Sequence, residues 1–346
     1  MALNEKDIQD LVQGTLERVR KDRVTNLATR LSDYHIVGVL LKKQRVRIED
    51  GISIQQMVMI DHSHAAQQTE LFAVDNVRIT DTLKRIEVPW RHTTVNWGFE
   101  SREIDMNSGD SRIVSLLATR QDAAMVSLLE HMENQGWKPA AELGERDVYS
   151  IPCWVVKNAT EGFYGGNPTG FTNGIGGLDS NTYTRWRNWT GTYSAWSETD
   201  GILALRKAHQ HIQFKVPIDV KTFREGVGRT YRIMVNNKTY NELITAARNA
   251  NDNLGPDLGR YDGSVTFNRN EITWVPKLDE DTQNPVYLIN LNSFYAFVLK
   301  GWFMKTTGPL RAPSQHNTWH MFEDTTWNLI CENRRLNAVL YYVPNP

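Results

Sequence analysis

The chain has few cysteines, no long apolar run and almost no net charge, and each shortage excludes a class of protein. Only two of its 346 residues are cysteines, Cys153 and Cys331, so they can form neither a disulfide framework nor a paired-cysteine metal site. The longest apolar run, Ile36–Leu41, is far too short to span a bilayer. The 39 basic and 40 acidic residues leave a formal net charge of −1, which argues against binding nucleic acid through overall charge. The sequence therefore predicts a soluble protein that stays in the cell that makes it.

One segment, Gly51–Glu103, alternates apolar and polar residues in short runs, which is typical of half-buried strands. Its apolar residues are scattered among polar ones and form no cluster for a core of their own. They are Met57, Met59, Phe72, Val74, Val77, Ile79, Ile86 and Val88. Because a two-stranded ribbon is only marginally stable alone, we expect this hairpin to bury its face on another copy of the chain. Self-assembly is therefore the first hypothesis.

A helix is predicted on each side of the hairpin. Residues 4–32 have the apolar spacing of an amphipathic helix, which either packs on its own domain or lies as an arm on a neighbouring subunit. The helix after the hairpin has Asn107 or Ser108 as its N-cap and Gly136 at its end, and it should be roughly 38 Å long.

The rest of the chain mixes loops, short strands and two further helices. Residues 161–196 are rich in Gly, Asn and Thr, which predicts turns and loops. Asp200–Phe214 predicts a helix, and Thr239 is placed to cap another. Strands are expected at Tyr231–Asn236, Val265–Phe267, Glu271–Val275, Val286–Leu291 and Phe294–Leu299, and twice in the C-terminal tail.

Asp61, His62 and His64 stand close together near the tip of the hairpin, which raises the question of a metal site. Two histidines two residues apart on a strand face the same way, but zinc requires three or four ligands and supporting residues. No further His or Cys cluster lies nearby in the sequence. A polar loop tip is therefore the favoured interpretation, ahead of a metal-dependent hydrolase.

No catalytic arrangement is recognisable. Ser150, Ser194 and Ser197 lack the G-x-S-x-G frame of a nucleophile, and Cys331 lies in an apolar strand, where inert core cysteine is the default. The glycines of 162–177 lack the Gly-Lys-Ser/Thr ending that binds phosphate. We therefore expect no catalytic residue, no cofactor and no metal.

The chain is rich in large aromatics, with 11 Trp and 12 Tyr, which favours extensive contact surfaces. Several of them lie in residues 186–196. This loop either stacks on sugars in a carbohydrate-binding surface protein, anchors one segment to another, or folds over its own core. Its members are Trp186, Arg187, Trp189, Tyr193 and Trp196.

Four stretches, in their order and spacing, resemble the major capsid proteins of tailed double-stranded DNA bacteriophages, which share the Hong Kong ninety-seven fold. The hairpin ending in VPWRHTTVNWGFESREIDMNSGDSRIV is similar to the family's E-loop and the spine helix that follows it. The stretch GIGGLDSNTYTRWRNW is similar to a loop of the family, although Leu178, Asp179 and Ser180 depart from its wording.

The other two stretches lie in the second half of the chain. RTYRIMVNNKTYNELITAA, with VPKLDED after it, is similar to the family's axial domain, and DTTWNLICENRRLNAVLYYV is similar to its closing strand with an Arg pair. The resemblance extends from Ile52 to Val343.

The resemblance implies an α+β fold of four parts. These are an N-terminal arm (1–45), an extended E-loop hairpin (46–100), a peripheral domain with the long spine helix (101–199 and 316–346) and an axial domain (200–315). It implies a structural protein without catalysis, which assembles as pentamers and hexamers into an icosahedral head enclosing double-stranded DNA.

The resemblance also implies partners and a location. The partners are other copies of the chain, a separate scaffolding protein and a portal, with a cement protein as a further candidate and packaged DNA in weak non-specific contact. The protein would be assembled in the host cytoplasm, reside in the virion and contact no membrane. Because Lys84 near the hairpin base is the only lysine between Gly51 and Glu100, we expect no covalent crosslink through this loop. The candidate inter-subunit contacts are Asp61, His62, Glu70, Phe72, Arg78, Arg85, Trp186, Arg187, Trp189, Arg334 and Arg335.

Overall fold

Three β-sheets and one long helix organise the chain, for which a computed structural model describes residues 31–41, 46–66, 68–69, 81–106, 110–214, 231–249, 266–311 and 313–344. The strands are β1 Arg47–Glu49, β2 Ser53–Met59, β3 Leu83–Pro89, β4 Arg91–Glu100, β5 Gly162–Gly165, β6 Asn188–Tyr193, β7 Tyr231–Val235, β8 Thr266–Phe267, β9 Asn270–Trp274, β10 Val286–Asn290, β11 Phe294–Leu299, β12 Lys305–Arg311, β13 Thr318–Cys331 and β14 Ala338–Tyr342. The α-helices are α1 Ser101–Met106, α2 Asp110–Trp137, α3 Ile151–Trp154, α4 Gly201–His211 and α5 Asn237–Asn249.

Most elements expected from the sequence are present. The long helix, the helix near residues 200–214 and the strands β7 to β11 are confirmed within a few residues at their ends. An N-terminal helix is expected at 4–32, and residues 4–30 of it lie outside the described part of the chain. Among the described helices, none combines the length and the apolar character needed to cross a membrane.

The long helix α2 packs one apolar stripe against the rest of the chain, as its spacing predicts. The buried members of that stripe are Leu117, Ala124, Leu128 and Met132. Gly136, expected just past the helix end, instead lies inside the last turn. A Cβ atom there would lie 2.5 Å from Cγ1 of Ile36, so this glycine permits the chain before the hairpin to approach the helix closely.

Strand β13 is the longest strand of a five-stranded sheet and pairs with three of its other strands. It pairs with β4 along the whole of β4, from Thr318 opposite Glu100 to Trp327 opposite Arg91, and with β12 and β11 on the sheet's other side. Strand β1 extends the sheet by parallel pairing with β11. Aromatic residues of β4 and β13 pack beneath α2. Residues 91–100, expected in the free hairpin, therefore belong to this sheet.

The second sheet has seven strands in the order β5-β6-β14-β10-β7-β9-β8. Helix α4 and Ile212, which follows it, cover the sheet; Leu205, Ala208 and Ile212 are buried in a common cluster with the sheet residues. Helix α5 begins after Asn236, whose side-chain Oδ1 accepts a hydrogen bond from the Thr239 N–H at 3.0 Å. Asn236 is therefore the cap, and Thr239, expected in that role, lies in the first turn.

Two expectations about segments 161–196 and 200–315 differ from the structure. The first was expected to be loop, yet it contains β5 and the buried strand β6. The predicted domain boundaries also cut through both sheets, because β6 and β14 pair into the seven-stranded sheet while β11 and β12 pair with β13. Pairing between strands distant in sequence overrides a division made along the chain.

A buried arginine joins the two sheets. Arg334 lies in the turn between β13 and β14 and is fully buried. Its Nε donates to the Trp154 carbonyl at 2.7 Å, and its Nη2 donates to the Gly166 carbonyl at 2.8 Å. Burial lowers its pKa to about 10, so the group stays charged at neutral pH. Backbone carbonyls take the place of water at Nε and Nη2, whereas Nη1 has no hydrogen-bond partner among the described residues.

Glu133 fastens the segment before the hairpin to α2. Its two carboxylate oxygens accept the backbone N–H groups of His35, Ile36 and Val37 at 2.7–3.1 Å and the Trp137 indole N–H at 2.9 Å. Burial raises the pKa of Glu133, and these donors oppose the rise. Each carboxylate oxygen of Glu133 accepts two hydrogen bonds, so the site requires a hydrogen-bond acceptor at both Oε1 and Oε2.

Replacing Arg334 with Met should lower the free energy of unfolding by about 2 kcal/mol, because three backbone carbonyls lose their charged donor while the desolvation cost of the guanidinium disappears. Chemical denaturation of the purified subunit measures the change. The exposed Arg146→Met variant is the matched control and should unfold like the parent. An Arg334→Met variant as stable as the parent would contradict the joining role.

Replacing Glu133 with Gln should destabilise the chain by about 2–4 kcal/mol, because the amide NH2 group would face two of the four N–H donors. Thermal unfolding measures the loss, with the exposed Glu142→Gln variant as control. Equal melting temperatures for the two variants would show that the carboxylate does not fasten this segment.

Candidate assembly surface

The hairpin of β2 and β3 is a two-stranded sheet with two different faces. Ser53 pairs with Pro89 and Met59 pairs with Leu83, which fixes the antiparallel register. Successive side chains of a strand point to opposite faces, and residues directly opposite in the ladder share one. Ile54, Ile86 and Val88 therefore lie on the inner face, and Met57, Met59 and Leu83 on the outer face.

The inner face is anchored on the same chain. Ile54, Ile86 and Val88 are completely buried. Gly176, in a left-handed conformation with φ of 68°, approaches Ile86 so closely that a Cβ atom would lie 2.5 Å from its Cγ2. The base of the hairpin thus has its own buried face, which corrects the expectation that the whole ribbon lacks one in the isolated chain.

The outer face is apolar and open. Met57, Met59 and Leu83 are 65%, 46% and 51% exposed, and we call these three residues the outer apolar face. Among the described residues no third strand pairs with either β2 or β3, so both edges of the ribbon are also open. Exposed apolar residues beside unpaired strand edges are typical of a surface that another chain covers.

Arg85 adds a polar border to the outer face. Its side chain is 56% exposed, donates to Gln55 Oε1 at 3.2 Å and lies 3.8 Å from the Glu87 carboxylate. Arg85 is among the contacts predicted from the sequence, whereas the set of Met57, Met59 and Leu83 is not. The repeat of Met at positions 57 and 59 was the available signal.

Asp61, His62 and His64 converge just beyond β2. Asp61 Oδ1 lies 3.0 Å from His64 Nε2 and 3.7 Å from His62 Nδ1, and the two imidazole rings meet edge to face with centroids 3.8 Å apart. The His62 backbone N–H and then the His64 imidazole lower the pKa of Asp61. Arg185, which sequence analysis did not single out, places Nη1 2.6 Å from the same oxygen. The residues next to Arg185 in the sequence do not indicate that it contacts Asp61.

The remaining candidate contacts divide into three groups. Glu70, Phe72 and Arg78 lie outside the described residues. Arg187 and Arg335 are half-buried; Arg187 donates to the Ser180 carbonyl at 2.8 Å, and the Arg335 guanidinium lies 3.8 Å from the Phe214 ring centroid.

Trp186, Trp189 and Arg334 form the third group and are buried within their own chain. Trp186 packs edge to face on Trp154, and Trp189 stacks on His211 with ring centroids 4.4 Å apart. We therefore remove these three from the candidate contacts. The same burial removes the ring faces of Trp186 and Trp189 from sugar stacking, whereas Trp196 is half-buried and packs against Tyr193.

The two cysteines are buried, and burial raises the pKa of both Cys153 and Cys331 to about 12. Their thiols are therefore neutral at physiological pH, whereas a nucleophilic cysteine needs the thiolate. This agrees with the sequence-based interpretation of Cys331 as a core residue.

No protein-family model and no curated protein matches the sequence. Solved structures do match. The capsid of cyanophage A-1(L) aligns with a TM-score of 0.65 at 14% identity, covering 92% of this chain and 95% of that one. The capsid of an empty GTA particle aligns with a TM-score of 0.58 at 12% identity, covering 94% and 96%, and a protein of Mycobacterium phage Bobi with 0.51 at 9% identity, covering 100% of both chains. The chain therefore has the α+β Hong Kong ninety-seven fold of phage capsid proteins.

Proposed function

We propose that this chain is a major capsid protein that assembles as pentamers and hexamers into an icosahedral phage head enclosing double-stranded DNA. The observation that carries the proposal is the outer apolar face, displayed on a ribbon with two open edges by a chain that has a capsid fold. Rings and shells require heterologous contacts, in which one surface of a subunit meets a different surface of the next. A projecting ribbon supplies such a contact.

The energetics favour many weak contacts over one strong one. Each residue of the outer apolar face is already about half-buried, so covering it contributes about half of the roughly 1.5–3 kcal/mol of full burial, whereas association costs at least about 4 kcal/mol in lost translational and rotational freedom. One ribbon contact therefore gives a weak pair. Closing a ring lets each subunit give and receive a ribbon, which makes assembly cooperative and dependent on concentration.

The proposed domains follow the sheets. We assign the five-stranded sheet and α2 to the peripheral domain, the seven-stranded sheet with α4 and α5 to the axial domain, and β2 and β3 with the residues between them to the E-loop. The N-terminal arm remains residues 1–45. This assignment keeps each sheet whole and replaces the boundaries drawn along the chain.

The proposed partners follow from a shell-forming role. They are other copies of the chain, a separate scaffolding protein, a portal and a cement protein, with packaged DNA in weak contact because the net charge is only −1. Assembly would take place in the host cytoplasm and the product would be the virion head. Lys84 is the only lysine between Gly51 and Glu100, and we propose that this loop carries no covalent crosslink.

Purified full-length protein should form closed shells visible by negative-stain electron microscopy, alone or with its scaffolding protein. Deleting residues 60–69 should leave a folded subunit that assembles poorly, because the hairpin loses its reach. Circular dichroism checks the fold of the variant. Protein that stays monomeric at high concentration with the scaffold present would contradict the proposed function, and normal shells from the deletion variant would contradict the role of the hairpin.

Replacing Met57 and Leu83 together with Ser should reduce shell yield at least tenfold, because these side chains are about half-buried already and roughly 2–3 kcal/mol of apolar burial per contact is lost. Sedimentation of assembled particles measures the yield. Gln55→Ser is the matched control, since it alters the same face of the same strand without removing apolar surface. Equal yields from the double variant and the control would show that the outer apolar face is not a contact.

A further inference from the structure

We propose that Asp61, His62 and His64 bind a zinc ion at the point where the hairpin extends beyond β2. The sequence alone favoured a polar loop tip here, because spacing does not show whether three ligand atoms converge. The structure shows that they do, and the site is independent of the proposed shell-forming function.

The distances suit a tetrahedral ion. One ligand atom from each residue lies within 4.8 Å of the other two. Asp61 Oδ1 is 3.0 Å from His64 Nε2 and 3.7 Å from His62 Nδ1. Zinc–ligand bonds of ~2.0–2.1 Å at tetrahedral angles separate ligand atoms by about 3.4 Å, between these two values. The two separations from Asp61 therefore bracket the tetrahedral value, and the two imidazole ligand atoms lie within 4.8 Å of each other.

The donor set selects the class of metal. Two imidazoles and one carboxylate suit zinc and similar first-row divalent ions, whereas calcium and magnesium prefer oxygen ligands only. The side chains of His62, His64 and Asp61 are 60%, 53% and 41% exposed, so the ion can enter from solvent. Three protein ligands leave a fourth position for water or for a group from another chain.

The conformation of His64 contributes to the convergence. Its backbone lies in the left-handed region with φ of 48°, which non-glycine residues adopt rarely and at some cost in energy. Ile60 donates its N–H to the Thr82 carbonyl at 3.0 Å, so regular pairing ends there and the next residues are released from the ladder. The turn at His64 then brings its ring back to Asp61.

Arg185 competes with the ion. Its Nη1 lies 2.6 Å from Asp61 Oδ1, the oxygen closest to both histidines. Zinc binding requires this guanidinium to move away or to share the carboxylate through its other oxygen. Removing the charge at position 185 should therefore tighten zinc binding, whereas a simple hydrogen-bonded loop predicts no zinc binding in either form.

Binding of zinc to the full-length soluble subunit, measured by calorimetry, tests the proposal. The parent should bind one equivalent, and Co²⁺ in its place should give the visible absorption of a tetrahedral ion. His64→Gln and His62→Gln should each weaken binding more than about tenfold, as loss of a ligand should exceed the effect of losing an outer-shell partner. The exposed His316→Gln variant is the matched control and should bind like the parent. Arg185→Gln should bind several-fold more tightly.

Zinc should also protect the distal hairpin from limited proteolysis in the parent and not in His64→Gln. The absence of zinc binding in the parent, or binding that is unchanged in both histidine variants, would overturn the site. Unchanged affinity in Arg185→Gln would overturn the competition. Shell formation by the histidine variants leaves the capsid proposal intact, so the two proposals fail separately.

Discussion

The hydrogen bonds of one buried guanidinium hold the five-stranded and the seven-stranded sheets together, and the rest of the structure depends on this junction. Arg334 lies where the chain passes from the five-stranded to the seven-stranded sheet, and it donates to carbonyls at the end of α3 and after β5. Trp154, whose carbonyl accepts the Arg334 Nε, also packs edge to face on Trp186 and lies 3.6 Å from the Cβ position of Gly176. Gly176 in turn supports Ile86 of the hairpin. The ribbon is therefore fixed to the same junction that holds the two sheets together.

This arrangement reconciles two opposing demands on the hairpin. A ribbon that reaches another subunit must expose apolar surface, yet a two-stranded ribbon without a buried face is unstable. The register resolves the conflict by placing Ile54, Ile86 and Val88 on one face and Met57, Met59 and Leu83 on the other. The first face supplies stability within the chain, and the second remains exposed, as the proposed assembly requires.

Sequence analysis succeeded where local pattern decides the structure and failed where distant partners do. The apolar stripe of α2 and the mostly apolar β10 can be recognised without knowledge of the elements that pack against them. Strand β6 reads as a loop, because Asn188 and Thr190 are stabilised by side-chain hydrogen bonds to Val156, Trp189, Thr160 and Gly162 that no local pattern reveals. Part of the candidate surface, the hairpin and Arg85, could be predicted from the sequence. The contact of Arg185 with Asp61 could not, because it joins residues far apart in the chain.

The Asp61 cluster lies directly beyond the point where the β2–β3 ladder ends. Up to Ile60 the ribbon is held by its ladder and by its inner face, and beyond that point neither constraint continues among the described residues. A contact at Asp61 therefore constrains the direction of the backbone just beyond β2. Arg185 provides one such contact, and a zinc ion on the two histidines would provide another that is stronger and reversible. Because a preorganised loop loses less conformational entropy on docking, fixing this direction would favour assembly without adding any inter-subunit contact.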